Sequence, residues 1–330
     1  MVNNMLNPKK LDMSFRRYSK NFGDGIKFET VQRRYQENHK EVIEIADSNQ
    51  TEKDHILLID LNSIASYYLS QWKSDVLITG GNRLDGLKQM QVVVFYQCMA
   101  QDLYKVRYPK MIKNYNFRGV IVALIHFAMF GWAKEEDILF DFIVNRLGSN
   151  ILDVNEENKH VWFLLELYLQ YRNKTVAGTD RNVHLAVRQQ LKEAGLPYDS
   201  IPDDLEVYRQ ALDRWLSSDP AEIAPLINGM ALFHSIQASE IGEFHEFGDY
   251  RYGFYPYEIL FLRHVRTKRG LPVPAQGDDF LMNTPEAKME FASPEPYPER
   301  DPMLRMIDDF YRRHYSEYIP NQHGELFQSS

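Results

Sequence analysis

Residues 120–130 read Val-Ile-Val-Ala-Leu-Ile-His-Phe-Ala-Met-Phe, the longest apolar run in a chain of 330 residues. The run is shorter than the roughly 20 residues that a membrane-spanning helix needs. It is apolar on all sides, so we expect a central helix that other helices surround. Between Lys9 and Leu196 the chain has a single proline, Pro109, and prolines are disfavoured in helix interiors. The stretch around this run therefore predicts an all-α protein.

Apolar residues recur at helical spacing on both sides of the run, and glycines fall between these patterns, where helices commonly end. No series of strands is apparent. We expect stacked antiparallel helices in a bundle or an irregular array, with a proline-rich C-terminal extension. The predicted helices are 29–48, 53–78, 84–107, 117–130, 134–147, 156–172, 181–194, 203–217, 220–241, 255–269 and 302–316.

Composition divides the chain into four parts. Residues 1–28 are polar and basic, and we expect them to be loosely ordered. Residues 29–200 and 201–285 are predicted to be two helical parts. Residues 286–330 combine a proline-rich segment, typical of extended coil, with a last amphipathic helix that is expected to dock on the body of the protein.

The charge balance excludes several classes of function. The formal net charge is −8, which argues against a nucleic-acid binder held by phosphate contacts. Between Asp203 and Leu260 there are eleven acidic and three basic residues, so the acidic character is local.

The single cysteine, Cys98, excludes an internal disulfide, and residues 1–10 lack the apolar core of a secretory signal. We expect a cytoplasmic protein with no cofactor, no membrane association and no direct contact with nucleic acid.

Three isolated residues are candidates for chemistry. Cys98 has no neighbouring base in sequence, so a buried, inert thiol is expected. His126 lies in the central apolar run and is interpreted as a core histidine. His234 lies on the inner stripe of its helix, where it either orients a buried carboxylate or forms a hydrogen bond across the core.

Two Glu-x-x-His units, Glu52 to His55 and Glu157 to His160, suggest an alternative function. Di-iron carboxylate proteins place such a unit on each of two helices, together with a glutamate from each of two more. Both units also fall in the first turn of a predicted helix, where acids are favoured by the helix dipole alone. We therefore expect no metal site, and a metal-dependent oxidoreductase is the alternative.

The segment 243–258 joins two predicted helices and interleaves seven aromatic residues with four acids. The rings either anchor a long loop on the helical body or form a protein-binding surface, for which aromatic side chains and charge complementarity are suited. Both interpretations can hold for alternate residues. The predicted partner-binding residues are Glu240, Glu243, Glu246, Asp249, Tyr250, Tyr252 and Tyr255.

Several short motifs occur in a recognisable order in the C-terminal half. They are the helix ending at Trp215, Ser218-Asp219-Pro220 before the long helix with His234, Tyr257-Glu258-Ile259-Leu260-Phe261-Leu262, Arg269-Gly270-Leu271-Pro272-Val273 and Gly277-Asp278-Asp279-Phe280-Leu281. On these motifs, residues 205–285 resemble the bacterial immunity protein 49 family, whose members are mostly helical antidotes encoded beside polymorphic toxins.

The resemblance implies binding and not catalysis. The expected partner is a cognate secreted toxin domain encoded by a neighbouring gene, and a nuclease with a basic cleft would suit an acidic face. A helical scaffold for another intracellular partner would have the same sequence features, so this alternative stays open.

Overall fold

The computed structural model describes residues 6–107, 115–149, 151–275, 277, 279–292 and 294–328. These residues contain twelve α-helices and one pair of two-residue strands. The all-α prediction is confirmed. The described chain forms two compact units, and each unit combines segments that are far apart in sequence.

The first unit holds the described residues of 1–23, 76–82 and 155–290. Its centre is α7, in which every residue from His160 to Leu169 is buried, and α7 contacts α8, α9 and α11. Two short 3-10 turns, Leu281–Asn283 and Glu286–Lys288, follow the last helix. The helices of this unit are α1 (Pro8–Gly23), α7 (Lys159–Arg172), α8 (Val183–Glu193), α9 (Val207–Arg214), α10 (Pro220–Ala238) and α11 (Tyr257–Lys268).

The second unit holds the described residues of 24–75, 83–154 and 291–330. A 3-10 turn, Thr51–Lys53, precedes α3. The strands β1 (Tyr115–Asn116) and β2 (Leu152–Asp153) pair in parallel. The helices are α2 (Gly25–Asp47), α3 (Asp54–Lys73), α4 (Asp85–Arg107), α5 (Phe117–Phe130), α6 (Ala133–Arg146) and α12 (Pro302–His314). A π-helical segment, Ser74–Thr79, follows α3.

Helix α5 is the central helix that its apolar sequence predicts. All of its residues from Val120 to Phe130 are buried, and α5 contacts α4 and α6. His126 forms a hydrogen bond within the same helix. Its ring Nδ1 donates to the carbonyl oxygen of Val122 at 2.6 Å. Burial lowers the pKa of His126 to about 4. The interpretation of His126 as a core histidine is confirmed.

Cys98 in α4 is also buried. Burial, with the nearby charge of Asp102, raises the pKa of the thiol well above its usual value. A thiol held in its neutral form is a poor nucleophile, as the sequence predicts.

The proline-rich stretch before α12 is held on the second unit by polar contacts. The backbone N–H of Glu295 donates to the carbonyl oxygen of Phe130 at 2.8 Å, and the Glu295 carboxylate pairs with Lys88 at 2.8 Å. Asp301 caps α12 by accepting from the backbone N–H of Leu304. Helix α12 then packs on α2, α3 and α4, as its apolar stripe predicts.

Of the predicted loosely ordered segment 1–28, residues 1–5 lie outside the described residues, and the rest differs from the expectation. From Pro8 to Gly23 they form α1, and the Asn7 side chain accepts from the first backbone N–H groups of that helix. Leu11, Ser14 and Tyr18 are buried, at helical spacing. The basic residues lie on the exposed face of this helix. The helix is ordered because its opposite face is buried.

Candidate functional site

The connection between α10 and α11 contains a closed turn, residues 240–249, which we call the acidic turn. The N–H of Gly242 donates to the carbonyl oxygen of Gly248 at 2.7 Å and closes the turn. Within it, His245 N–H donates to the Glu243 carbonyl at 2.9 Å, and Gly248 N–H donates to the His245 carbonyl at 2.9 Å. A Cβ at Gly248 would lie 2.3 Å from the Glu243 oxygen, so this backbone path requires glycine at that position.

The two phenylalanines of the acidic turn point in opposite directions. Phe244 is fully exposed, whereas Phe247 is fully buried. The Phe247 ring stacks on the His234 ring, with centroids 3.6 Å apart and planes 13° apart. The His160 ring also contacts Phe247, at 4.5 Å. Phe247 therefore anchors the turn to two histidines, and Phe244 is left at the surface.

His160 ties the acidic turn to α7. Its ring Nδ1 and its backbone N–H each donate to the same Glu246 oxygen, Oε1, at 2.6 Å. Its Nε2 lies 2.6 Å from the hydroxyl oxygen of Tyr257, within hydrogen-bond distance. One glutamate thus joins the turn to the first residues of α7, and the tyrosine extends the link to α11.

His234 forms a second buried pair behind Phe247. Its Nδ1 lies 2.8 Å from Glu258 Oε1, and its Nε2 lies 3.0 Å from the Gly253 carbonyl oxygen. Both His234 and Glu258 are fully buried. Since a carbonyl oxygen only accepts, Nε2 carries a proton, and one further proton lies between Nδ1 and the carboxylate. The sequence left two roles open for His234, and the structure shows both.

The structure places the predicted acidic residues in different roles. Glu243 is exposed, and the half-exposed Glu240 pairs with Lys10 of α1. Glu246 instead binds His160, and Asp249 accepts from the backbone N–H groups that follow it, at 2.7 and 2.8 Å. Glu243 is therefore available to a partner, and Glu240 stays partly accessible beside Lys10. Glu246 and Asp249 instead hold the turn in shape.

The predicted tyrosines mostly serve the core. Tyr252 and Tyr255 are buried, and burial raises the pKa of Tyr255 well above its usual value. Tyr250 is half-buried and stacks on Tyr18. Of the three, only Tyr250 contributes to the accessible surface, so the rings of this segment act chiefly as anchors.

Phe244 and His160 are the residues that the predicted partner-binding set lacks. The glycines at 242 and 248 bracket a short stretch in which Phe244 and Phe247 are three residues apart. That spacing signals a turn, but it does not say which ring is buried. His160 is 86 residues from Glu246, and a pairing over that separation leaves no local signal.

The geometry gives the metal alternative no support. In the described part of either unit, no three His, Cys, Asp or Glu side chains converge on a position where they could hold a metal ion. Glu157 is exposed, and both ring nitrogens of His160 already have partners, Glu246 and Tyr257. Glu157 lies before α7, which begins at Lys159, so the Glu157 to His160 unit does not present both side chains from one helix.

Comparison with known proteins gives no relative. No family model, no curated protein and no solved structure matches the chain. The resemblance of residues 205–285 to the immunity family stays a prediction. Among the described residues, every helix is too short or too polar to cross a bilayer.

Proposed function

We propose that the chain is a binding protein and not an enzyme, and that it neutralises a secreted bacterial toxin by direct contact through the acidic turn. Phe244 is the observation that carries the proposal. A large aromatic ring that is fully exposed on a turn whose neighbours are anchored is the kind of residue that forms the energetic centre of protein interfaces.

The acidic turn is organised before any partner arrives. Internal backbone hydrogen bonds close it, and Glu246 and Phe247 fix its inner side to buried histidines. Binding therefore needs little ordering of this loop, and a surface that is already ordered gains affinity because less entropy is lost.

Charge indicates the kind of partner. Glu240 and Glu243 accompany Phe244 on the accessible side of the turn, within the acid-rich stretch from Asp203 to Leu260. A basic surface with an apolar recess would complement them, and long-range attraction would speed the encounter. The basic cleft of a nuclease toxin would supply the positive charge, and the resemblance to immunity proteins suggests the biological setting.

Co-expression tests the proposal. The chain is produced with the toxin domain encoded by the neighbouring gene, and host survival and co-elution on a sizing column are scored. We expect survival and a stable complex. Phe244→Ala should weaken binding by about 2 kcal/mol or more and leave the free energy of unfolding unchanged, because the ring is outside the core.

Leu185→Ala is the matched control, since Leu185 is another exposed apolar side chain of the first unit. This variant should bind as the parent does. A complex that forms equally well with Phe244→Ala would move the interface elsewhere, and the absence of a complex with the parent chain would remove this partner.

A further inference from the structure

Helix α1 has an exposed cationic face. Lys9, Met13, Arg16 and Lys20 fall on one stripe at spacings of three and four residues, and all four are exposed. Lys10 and Arg17, also exposed, flank this stripe. The only acid of the helix, Asp12, pairs with Arg16 at 2.9 Å. We call this face the α1 stripe.

Residues that flank the α1 stripe contact the acidic turn and the end of the helix before it. Lys10 pairs with Glu240, Ser14 donates to the Ser239 carbonyl at 2.6 Å, and Arg17 donates to the Ile241 carbonyl at 3.2 Å. Lys9 and Lys20 are separated by eleven residues, which is about 16 Å along a helix. Positive charge thus extends from the edge of a negatively charged turn.

We propose that the α1 stripe is the second half of the partner-binding surface, and that the partner is a protein with an acidic patch beside the basic, apolar recess for Phe244. This inference rests on the proposed function. Adjacent patches of opposite sign fix the orientation in which a partner docks, because a rotated partner meets like charges.

The charge pattern favours a protein over a nucleic acid. A nucleic-acid backbone is negative along its whole length, so Glu240 and Glu243 would repel it where it passed the end of the stripe. A protein surface can alternate in sign over about 16 Å. Met13, with 69% of its surface exposed, adds an apolar contact within the stripe.

The test compares two doubly charge-reversed variants in complex with the toxin domain of the neighbouring gene. Lys9→Glu with Lys20→Glu reverses both ends of the stripe. Arg181→Glu with Lys192→Glu is the matched control, because these residues are exposed elsewhere on the first unit and the change in net charge is the same. Association rates are measured by surface plasmon resonance over a series of salt concentrations, with Phe244→Ala alongside.

We expect the stripe variant to associate about tenfold more slowly at low salt, with the difference shrinking as salt rises. The control should stay within about twofold of the parent. Equal effects of the two variants would overturn the inference and leave the proposed function intact if Phe244→Ala still weakens binding. No complex with the parent chain would overturn both.

Two further outcomes also overturn it. One is binding of the parent chain to a short DNA duplex at physiological salt, lost in the stripe variant. The other is a dimer of the parent chain that the stripe variant breaks, since the acidic turn of a second copy would then occupy the stripe.

Discussion

Helix α5 and the acidic turn each depend on buried histidines, and they use them in opposite ways. His126 donates within its own helix, to the carbonyl of Val122, and every residue of α5 from Val120 to Phe130 is buried around it. His234 instead links Glu258 to the segment that carries the turn, across 24 residues of sequence. The first histidine fills space in a core, and the second specifies a particular arrangement of three chain segments.

The difference has a physical basis. Apolar packing tolerates exchange of one side chain for another of similar volume. A buried polar pair does not, because removal of one partner leaves the other unsatisfied. The buried polar pairs lie beneath the acidic turn. They hold the turn in one conformation, and this conformation leaves the Phe244 ring exposed.

The largest effect is expected for His234→Leu. Glu258, which is fully buried, would lose its partner, at a cost of about 3–5 kcal/mol in the free energy of unfolding. His126→Leu is the matched change in α5 and should cost less than about 1.5 kcal/mol at neutral pH. Denaturant unfolding of the two variants measures both. Equal losses would remove the distinction between the two regions.

The next largest loss of stability is expected for Glu246→Ala. The carboxylate accepts two hydrogen bonds from His160, and their loss is expected to lower the free energy of unfolding by about 2 kcal/mol. Glu246→Gln keeps an acceptor oxygen and should recover part of this stability. If the two variants unfold alike, Glu246 does not act through these bonds.

Gly248→Ala tests the shape of the turn alone. The new Cβ would meet the Glu243 carbonyl oxygen at 2.3 Å, so the turn must shift, at a cost of about 1–3 kcal/mol in stability. Partner affinity should fall with it. Gly229→Ala, whose Cβ would meet its nearest neighbour, Val207, at 3.4 Å, should be neutral or stabilising because alanine favours the helix. Calorimetric titration of both variants against the toxin domain separates the two cases.

The smallest effect near neutral pH comes from the titration of His126 in α5, and this effect grows as pH falls. The pKa of His126 is about 4 in the folded protein and about 6.5 in an unfolded chain. The unfolded state therefore binds more protons between these values, and stability falls as pH drops from about 6.5 to 4. His126→Leu removes this contribution. In thermal unfolding, the stability of His126→Leu relative to that of the parent should increase as pH falls. A stability difference that does not change with pH would contradict the low pKa of His126.

The sequence predicted the helices well because helices carry their own period. The run at 120–130 is apolar on all sides, and its burial follows from that alone. Helix α1 was the exception, because its basic face dominated the composition and only two of its buried residues, Leu11 and Tyr18, are apolar.

The site was harder to predict than the fold. An irregular turn has no period, so no pattern states that Phe247 is inside and Phe244 outside. The pairing of His160 with Glu246 joins residues 86 apart, and that pairing exists only after the chain has folded. The acidic, aromatic character of 243–258 was readable, and the direction of each side chain was not.

We propose that the acidic turn is an ordered surface that a partner covers. Hydrogen–deuterium exchange of the free chain and of its complex with the toxin domain tests this most directly. We predict that the amides of Gly242, His245 and Gly248 are already protected in the free chain, and that residues 240–249 gain protection in the complex while α8 does not change. Protection that appears only in other segments, with 240–249 unchanged, would contradict the account.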